Sequence, residues 1–417
     1  MKMTAAVSTP SGVRVEEIEL LPVGPRDVLV RVEAANVSVA DGFSGPGGSG
    51  SPGGPAMSPG GLGNPGGPLD PGGLPGPGTG GPGGIPFPEP GDEALEFLKL
   101  PDQIVNGHAG VGVVEEVGHR VSRVQVGDRV LMTSNPNCGV CAYCLRGRQD
   151  QCAEMVPVGP AFARGQDGTM VFANGRVGCF AQLSVIPETQ VTPVDSDLPG
   201  DQLSLIANPV ATGVGAAMII APVTPGSVAA VLGCGPVGLS YIQGARLVQA
   251  AQIIAVDPLP HRREAALRFG ATDVVDPGQS DPVEAVRELS GDAGGLMFGR
   301  GADFVFEAVG DARAAEQAWS MARLTGHVTL AGVGGERPVV SFPYGEFAVL
   351  AGRTVHSCQW GGVLQRRDFP WLIRLAEDGR LDVAGLAERS YALKELGDAL
   401  RDVTARTVIG ATLLPAV

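Results

Sequence analysis

Between residues 228 and 257 the hydrophobic pattern changes period twice. Residues 228–232 (Val-Ala-Ala-Val-Leu) form a continuous apolar run, which suits a strand buried on both faces. From 239 to 250 small and apolar residues recur at helical spacing, and 253–256 is a second buried strand closed by Asp257. Similar runs at 302–310, 327–335 and 354–360 alternate with helical patterns at 282–289 and 311–324. Alternating strands and helices predict a parallel, doubly wound α/β sheet with a ligand crevice at the strand C-termini. Upstream the pattern is different. Residues 13–18 and 27–32 alternate polar and apolar, with Pro22 and Pro25 between them, and 105–130 carries the strand-and-turn punctuation of a small irregular β-barrel. A further strand is expected at 177–185 and a helix over 201–220. The tail predicts helices at 369–379 and 393–403 and a closing strand at 407–409.

Residues 44–91 break every pattern. Of these 48 residues, 20 are Gly and 13 are Pro. The Gly spacing has no strict period of three, which excludes collagen. So little apolar surface cannot offset the entropy of ordering, so a mobile insert is expected, either inert or acting as a lid or docking element.

Composition narrows the partners. The 417 residues suggest two or three domains, and 44% hydrophobic content allows large cores. A formal net charge of −14 with scattered basic residues argues against nucleic-acid binding. With no run of 18 apolar residues and no charged-then-apolar leader at Met1, a cytoplasmic protein without membrane association is expected.

Two motifs carry chemistry. Gly233, Gly235 and Gly238 form G-x-G-x-x-G between the first strand and its helix. The first Gly permits the tight turn, the second lets the backbone approach a pyrophosphate, and the third lets helix pack on strand, so the phosphates meet the helix N-terminus at Val237. Asp257, 19 residues after Gly238, can bond the ribose hydroxyls, which favours NAD over NADP. Arg262 follows closely and either touches the ribose or a phosphate or simply starts a solvated helix with His261 and Arg263. Cys138, Cys141, Cys144 and Cys152 form C-x2-C-x2-C-x7-C. Four close thiolates predict one structural Zn²⁺ with no open coordination position, an iron–sulfur cluster being the lesser alternative.

With these pieces in this order, the chain resembles the zinc-containing alcohol dehydrogenases of the medium-chain dehydrogenase/reductase superfamily. The likeness also rests on Gly107-His108, Gly352-Arg353-Thr354 and Gly361-Gly362. It implies a GroES-like β-barrel catalytic domain over 1–208, with the insert at 44–91 and the zinc lobe at 136–153. A Rossmann domain over 209–359 and a return to the catalytic domain over 360–417 complete the expectation. It also implies Thr212 against the nicotinamide, Arg406 reaching the pyrophosphate, and a homodimer or homotetramer, often joined through the Rossmann sheet edge. The family's three catalytic-zinc positions fall on Ser38, His108 and Asn208, Ala109 stands where a Glu is usual, and Asp41, which orients the His, is retained. A hydroxyl, an amide and one imidazole are a poor Zn²⁺ set, so hydride transfer without catalytic zinc is expected. His108 would act as general acid or base and Ser38 and Asn208 as donors to the oxygen of a small carbonyl, alcohol or conjugated C=C substrate. The alternatives are a conventional zinc alcohol dehydrogenase and a dinucleotide-binding pseudoenzyme, with His108 in the last case no more than a buried partner of Asp41.

Overall fold

The computed structural model describes residues 1–43, 101–291, 299–333, 340–342 and 346–416, so the Gly/Pro-rich insert at 44–91 lies outside the described residues. Six parallel strands form one sheet in the spatial order Asp273–Val275, Gln252–Val256, Val228–Leu232, Ala302–Glu307, Ala322–Leu330, Thr354–Ser357. The first strand in sequence is therefore central, and the chain order reverses beside it. Its apolar run serves both faces of the sheet. Ala229 and Val231 enter a core shared with the 203–217 helices and the 369–386 region, whereas Ala230 and Leu232 pack beneath the opposite layer. A strand buried on both faces explains why the run is continuous rather than alternating.

The remaining strands build the other half. Lys2–Thr9, Gly12–Leu20, Ala163–Arg164, Met170–Ala173 and Ile104–Val105 close into a barrel. Beside it a seven-stranded sheet centres on Asp27–Val37, which pairs with Ala109–Val117, with Leu183–Pro187 and with the C-terminal Ala411–Leu414. The tail thus returns to the sheet that the N-terminal region began. The architecture is the expected combination of a GroES-like β-barrel unit and a Rossmann sheet.

Several local expectations shift. The strand expected at 177–185 begins only at Leu183, because Gly178 turns the backbone at φ +61. The closing strand lies at Ala411–Leu414 rather than 407–409, since Arg406 takes φ +59 and the chain must first recover from that turn. The last Rossmann strand ends at Ser357, and Trp360–Gly362 is a tight turn. The helix expected over 201–220 is broken at Asn208, which is extended (φ −166°, ψ 132°). Pro209 explains the break: proline offers no N–H and disfavours helical geometry in the residue before it. The stretch Gly200–Ile220 is long and apolar enough to cross a membrane, yet 72% of that window is buried inside the protein, as befits a core element.

The two halves meet where the helix Ala211–Gly215 packs on the helix Pro236–Leu247. A Cβ on Gly213 would strike the Val237 carbonyl and lie 2.5 Å from Ser240 Cβ and 2.6 Å from Tyr241 N. Backbone cannot give way as a flexible side chain can. We predict that Gly213→Ala lowers stability by about 1–3 kcal/mol, read as an earlier urea midpoint, and weakens nucleotide binding. An unchanged midpoint would contradict this packing.

Candidate active site and nucleotide cleft

Asp41 sits in the short helix Val39–Phe43, and its side chain has no exposed surface. Donors converge on it: Oδ2 accepts from Ser38 N at 2.9 Å and Ser38 Oγ at 3.1 Å, and Oδ1 accepts from Gly107 N at 3.3 Å. His108 Nδ1 lies 3.0 Å from Oδ1. An ionised carboxylate can only accept, so Nδ1 carries the proton and Nε2 presents its lone pair. Asn208 meets that lone pair, its Nδ2 donating to Nε2 at 2.9 Å. The amide orientation is consistent with Thr212, whose Oγ1 donates to Asn208 Oδ1 at 3.4 Å. The expected residues Ser38, Asp41, His108, Asn208 and Thr212 therefore form one hydrogen-bonded chain, from the catalytic sheet to the helix leading into the Rossmann half.

Two details differ from expectation. The Ser38 proton is committed to Asp41, so Ser38 can offer a substrate lone pairs but no donor. Asn208 is held by His108 and is not free to greet a substrate while His108 is neutral.

Burial pushes the His108 imidazolium down, but the Asp41 charge and hydrogen bond outweigh it, and the pKa lies above the ordinary 6.5. The Asp41–His108 pair therefore adds stability that is complete below pH 6.5 and is lost as pH rises through the folded value. Trp360 closes the site, its ring edge-on to His108 at 5.9 Å between centroids and 65° between planes. The sequence marks Trp360 only as the end of the apolar run at 354–360, and nothing in its pattern signals this contact beyond the adjacent Gly361-Gly362.

The candidate nucleotide site is built on the glycine turn. Gly233 has φ +90. A Cβ on Gly235 would meet nothing nearer than Arg262 Nη1 at 3.6 Å, so backbone can approach a ligand there. A Cβ on Gly238 would collide with the Gly233 carbonyl, as tight helix–strand packing requires. The helix Pro236–Leu247 has no side-chain N-cap, and its first-turn N–H groups, Val237 and Gly238 included, lack intrahelical acceptors. Asp257 is buried and accepts from Cys234 N and Leu259 N, each at 2.8 Å, one on each oxygen. Each oxygen keeps a lone pair for a ribose hydroxyl. Arg263 is committed, to the Asp257 carbonyl at 2.7 Å and to Asp276 at 2.9 Å. Arg262 is not: its Nε is buried without a protein partner, burial lowers its pKa, and Arg406 is close enough to lower it further. A buried cation with a free donor next to Gly235 fits an anionic ligand. Thus Gly233, Gly235, Val237, Gly238, Asp257, Arg262 and Arg406 lie about the glycine turn, and Thr212 adjoins it through Gly213, which packs on Val237.

The four cysteine sulfurs lie within 4.8 Å of one another. A tetrahedral Zn²⁺ with Zn–S near 2.3 Å needs S···S distances of about 3.8 Å, so small adjustments suffice. Backbone N–H groups already point at sulfur: Cys141 N at Cys138 Sγ (3.4 Å), Cys144 N at Cys141 Sγ (3.4 Å) and Ala153 N at Cys141 Sγ (3.5 Å). Donors from Ala153 and Cys144 bring the Cys141 thiol down to about 6. The donor set fits Zn²⁺. The Ser38–His108–Asn208 set does not: the donors are neutral apart from the imidazole, and the free nitrogen of His108 is engaged by an amide N–H.

In the wild-type protein His108 should titrate above pH 6.5 by NMR. Asp41→Asn removes the charge that raises it while leaving the burial, so the midpoint should fall below 6.5. A midpoint unmoved by the substitution would contradict the pairing.

Comparison with known proteins shows the family and the fold. The alcohol dehydrogenase GroES-like domain matches residues 90–196 and the zinc-binding dehydrogenase family matches 236–378. An S-(hydroxymethyl)glutathione dehydrogenase of Escherichia coli O1:K1 / APEC is 33% identical over 307 residues, 71% of this chain and 80% of that protein. The fold is shared with an alcohol dehydrogenase zinc-binding domain protein from Burkholderia ambifaria (TM-score 0.80, 24% identity, 100% of this chain and 99% of that one). Benzyl alcohol dehydrogenase from Acinetobacter calcoaceticus shares it too (TM-score 0.77, 23% identity, 99% of each chain). A zinc-binding dehydrogenase from Sinorhizobium meliloti 1021, solved with NADP, superposes with TM-score 0.70 at 22% identity, covering 100% of both chains. The chain belongs to the zinc-binding alcohol dehydrogenase family of the medium-chain dehydrogenase/reductase superfamily and is a nicotinamide-dependent oxidoreductase.

Proposed function

We propose that this oxidoreductase transfers hydride between NAD(H) and a small carbonyl, alcohol or conjugated C=C substrate without a catalytic zinc. The observation that carries the reading is the 2.9 Å hydrogen bond from Asn208 to His108 Nε2. In a histidine-ligated metal site one ring nitrogen binds the metal while the other donates to a carboxylate. Here Nδ1 faces Asp41, so Nε2 is the nitrogen a metal would need, and it already accepts an amide proton.

The same geometry suits proton transfer. Bound NADH supplies the hydride, and the protein positions the acceptor. Asp41 favours protonated His108, and a protonated Nε2 can no longer accept from Asn208. Two donors, His108 Nε2–H and Asn208 Nδ2–H, then face the same space, where a substrate oxygen can accept from both. His108 gives its proton to that oxygen as charge develops on it, and Asp41 steadies the imidazole throughout. A conjugated enone fits well, because its enolate oxygen asks only for donors. Asp257 supports NAD over NADP, since a 2′-phosphate would meet its carboxylate. The four-thiolate lobe requires reduced cysteines, consistent with a cytoplasmic location. A homodimer or homotetramer is our reading of the assembly, in keeping with the mostly exposed edge strand Thr354–Ser357.

A second reading, a conventional zinc alcohol dehydrogenase, draws on the retained Asp41–His108 pair and the zinc-binding family match. A pseudoenzyme would bind NADH and turn over nothing.

Enone reduction separates the three. With NADH the protein should yield the saturated carbonyl product, prefer NADH to NADPH, and lose about 10²–10⁴-fold in rate on His108→Gln. Turnover of simple alcohols alone, restored by added zinc, would overturn the proposal. Binding of NADH without turnover of enones, carbonyls or alcohols would favour the pseudoenzyme.

A further inference from the structure

The turn Trp360–Gly362 has three successive residues at positive φ: Trp360 at +49, Gly361 at +65 and Gly362 at +67. Glycine accepts this region freely, but a tryptophan there is strained and stays only where its surroundings hold it. One side of the hold is the helix carrying Thr212. A Cβ on Gly361 would strike the Ala211 carbonyl and come within 2.8 Å of the Thr212 carbonyl. The other side is the cysteine lobe. Gln359 Nε2 reaches Met155 Sδ at 3.8 Å, and Met155 N donates to the Cys152 carbonyl at 3.0 Å.

A second tie runs through Gln365, the first residue of the helix Gln365–Glu377 and only 1% exposed. Its Nε2 donates to Thr133 Oγ1 at 2.7 Å and to the Asn135 carbonyl, and its Oε1 accepts from Asn137 Nδ2 at 2.9 Å. Asn137 precedes Cys138. Arg123 fixes it, donating to Asn137 Oδ1 at 2.7 Å and to the Cys138 carbonyl at 3.0 Å. At the other end of the same segment, Ser134 N donates to the His108 carbonyl at 2.8 Å. One buried amide thus joins the start of the lobe, the loop that carries His108, and the segment that follows Trp360. Buried amides are costly to leave unpaired, so this network has few alternative arrangements.

We propose that the cysteine lobe positions Trp360 against His108, with Gln365 as the positioning residue that transmits its order. The inference rests on His108 being the reacting group of the preceding section. It makes the metal content of the lobe a determinant of substrate fit, in addition to stability. Trp360, rather than the cysteines, is where the effect is felt.

The test uses the full chain as purified, Gln365→Met, and Asn137→Ser as a second variant should the first fail to fold. Trp360 emission is isolated by subtracting the spectrum of the matching Trp360→Phe protein. Gln365→Met should retain zinc and NADH affinity, shift Trp360 emission to the red, and raise the KM for the acceptor about tenfold to a hundredfold, the scale on which a misplacement near 1 Å is felt. Chelation of zinc from the wild-type protein should shift the same emission, and Gln365→Met should blunt that response. A variant with a lower thermal midpoint but unchanged emission and KM would show that Gln365 is merely structural and overturn the proposal, as would zinc removal that leaves Trp360 emission unmoved. If the wild-type protein turns over no acceptor, the functional reading fails, while the emission arm still decides this one.

Discussion

A buried carboxylate governs this site. Asp41 has no exposed side-chain surface, so its charge must be met by protein donors, and Ser38, Gly107 and His108 supply them. Meeting that charge fixes the His108 ring, its tautomer and the direction of Nε2. Everything chemically distinctive follows from what Nε2 then encounters. Because Pro209 forces Asn208 out of helical geometry, it encounters an amide N–H, where a metal-ligating thiolate or carboxylate would have made a Lewis-acid site.

The same hydrogen-bonded chain joins the two halves of the molecule. Asp41 and His108 belong to the β-barrel half, and Asn208 and Thr212 to the segment that enters the Rossmann half. Gly213 then presses that segment onto the helix Pro236–Leu247, one residue from Thr212. The glycine turn beside Arg262 is therefore mechanically continuous with His108. The scaffold alone does not decide which chemistry runs on it.

Much of this was legible in the sequence, for physical reasons. The doubly buried strand at 228–232 reads as an unbroken apolar run, and the glycine and cysteine spacings report backbone approach and thiolate geometry, which are local properties. Directions were harder. The Ser38 proton goes to Asp41 only three residues away, but that His108 faces Asp41 and Asn208 depends on contacts across 67 and 100 residues of sequence. Trp360 in a left-handed turn, and Gln365 buried at a helix start, look in sequence like an aromatic near two glycines and an ordinary polar residue. The strand misplaced at 407–409 and the one begun too early at 177 failed for the opposite reason, since a single positive-φ residue overrode a plausible local pattern.

Zinc content of the purified, undialysed protein, measured by elemental analysis against protein concentration, tests the central claim most directly. The account predicts one zinc per chain, held by Cys138, Cys141, Cys144 and Cys152, with His108 bonded to Asn208. Two zincs per chain would contradict it: His108 Nε2 would then be a metal ligand and the Asn208 hydrogen bond would be displaced.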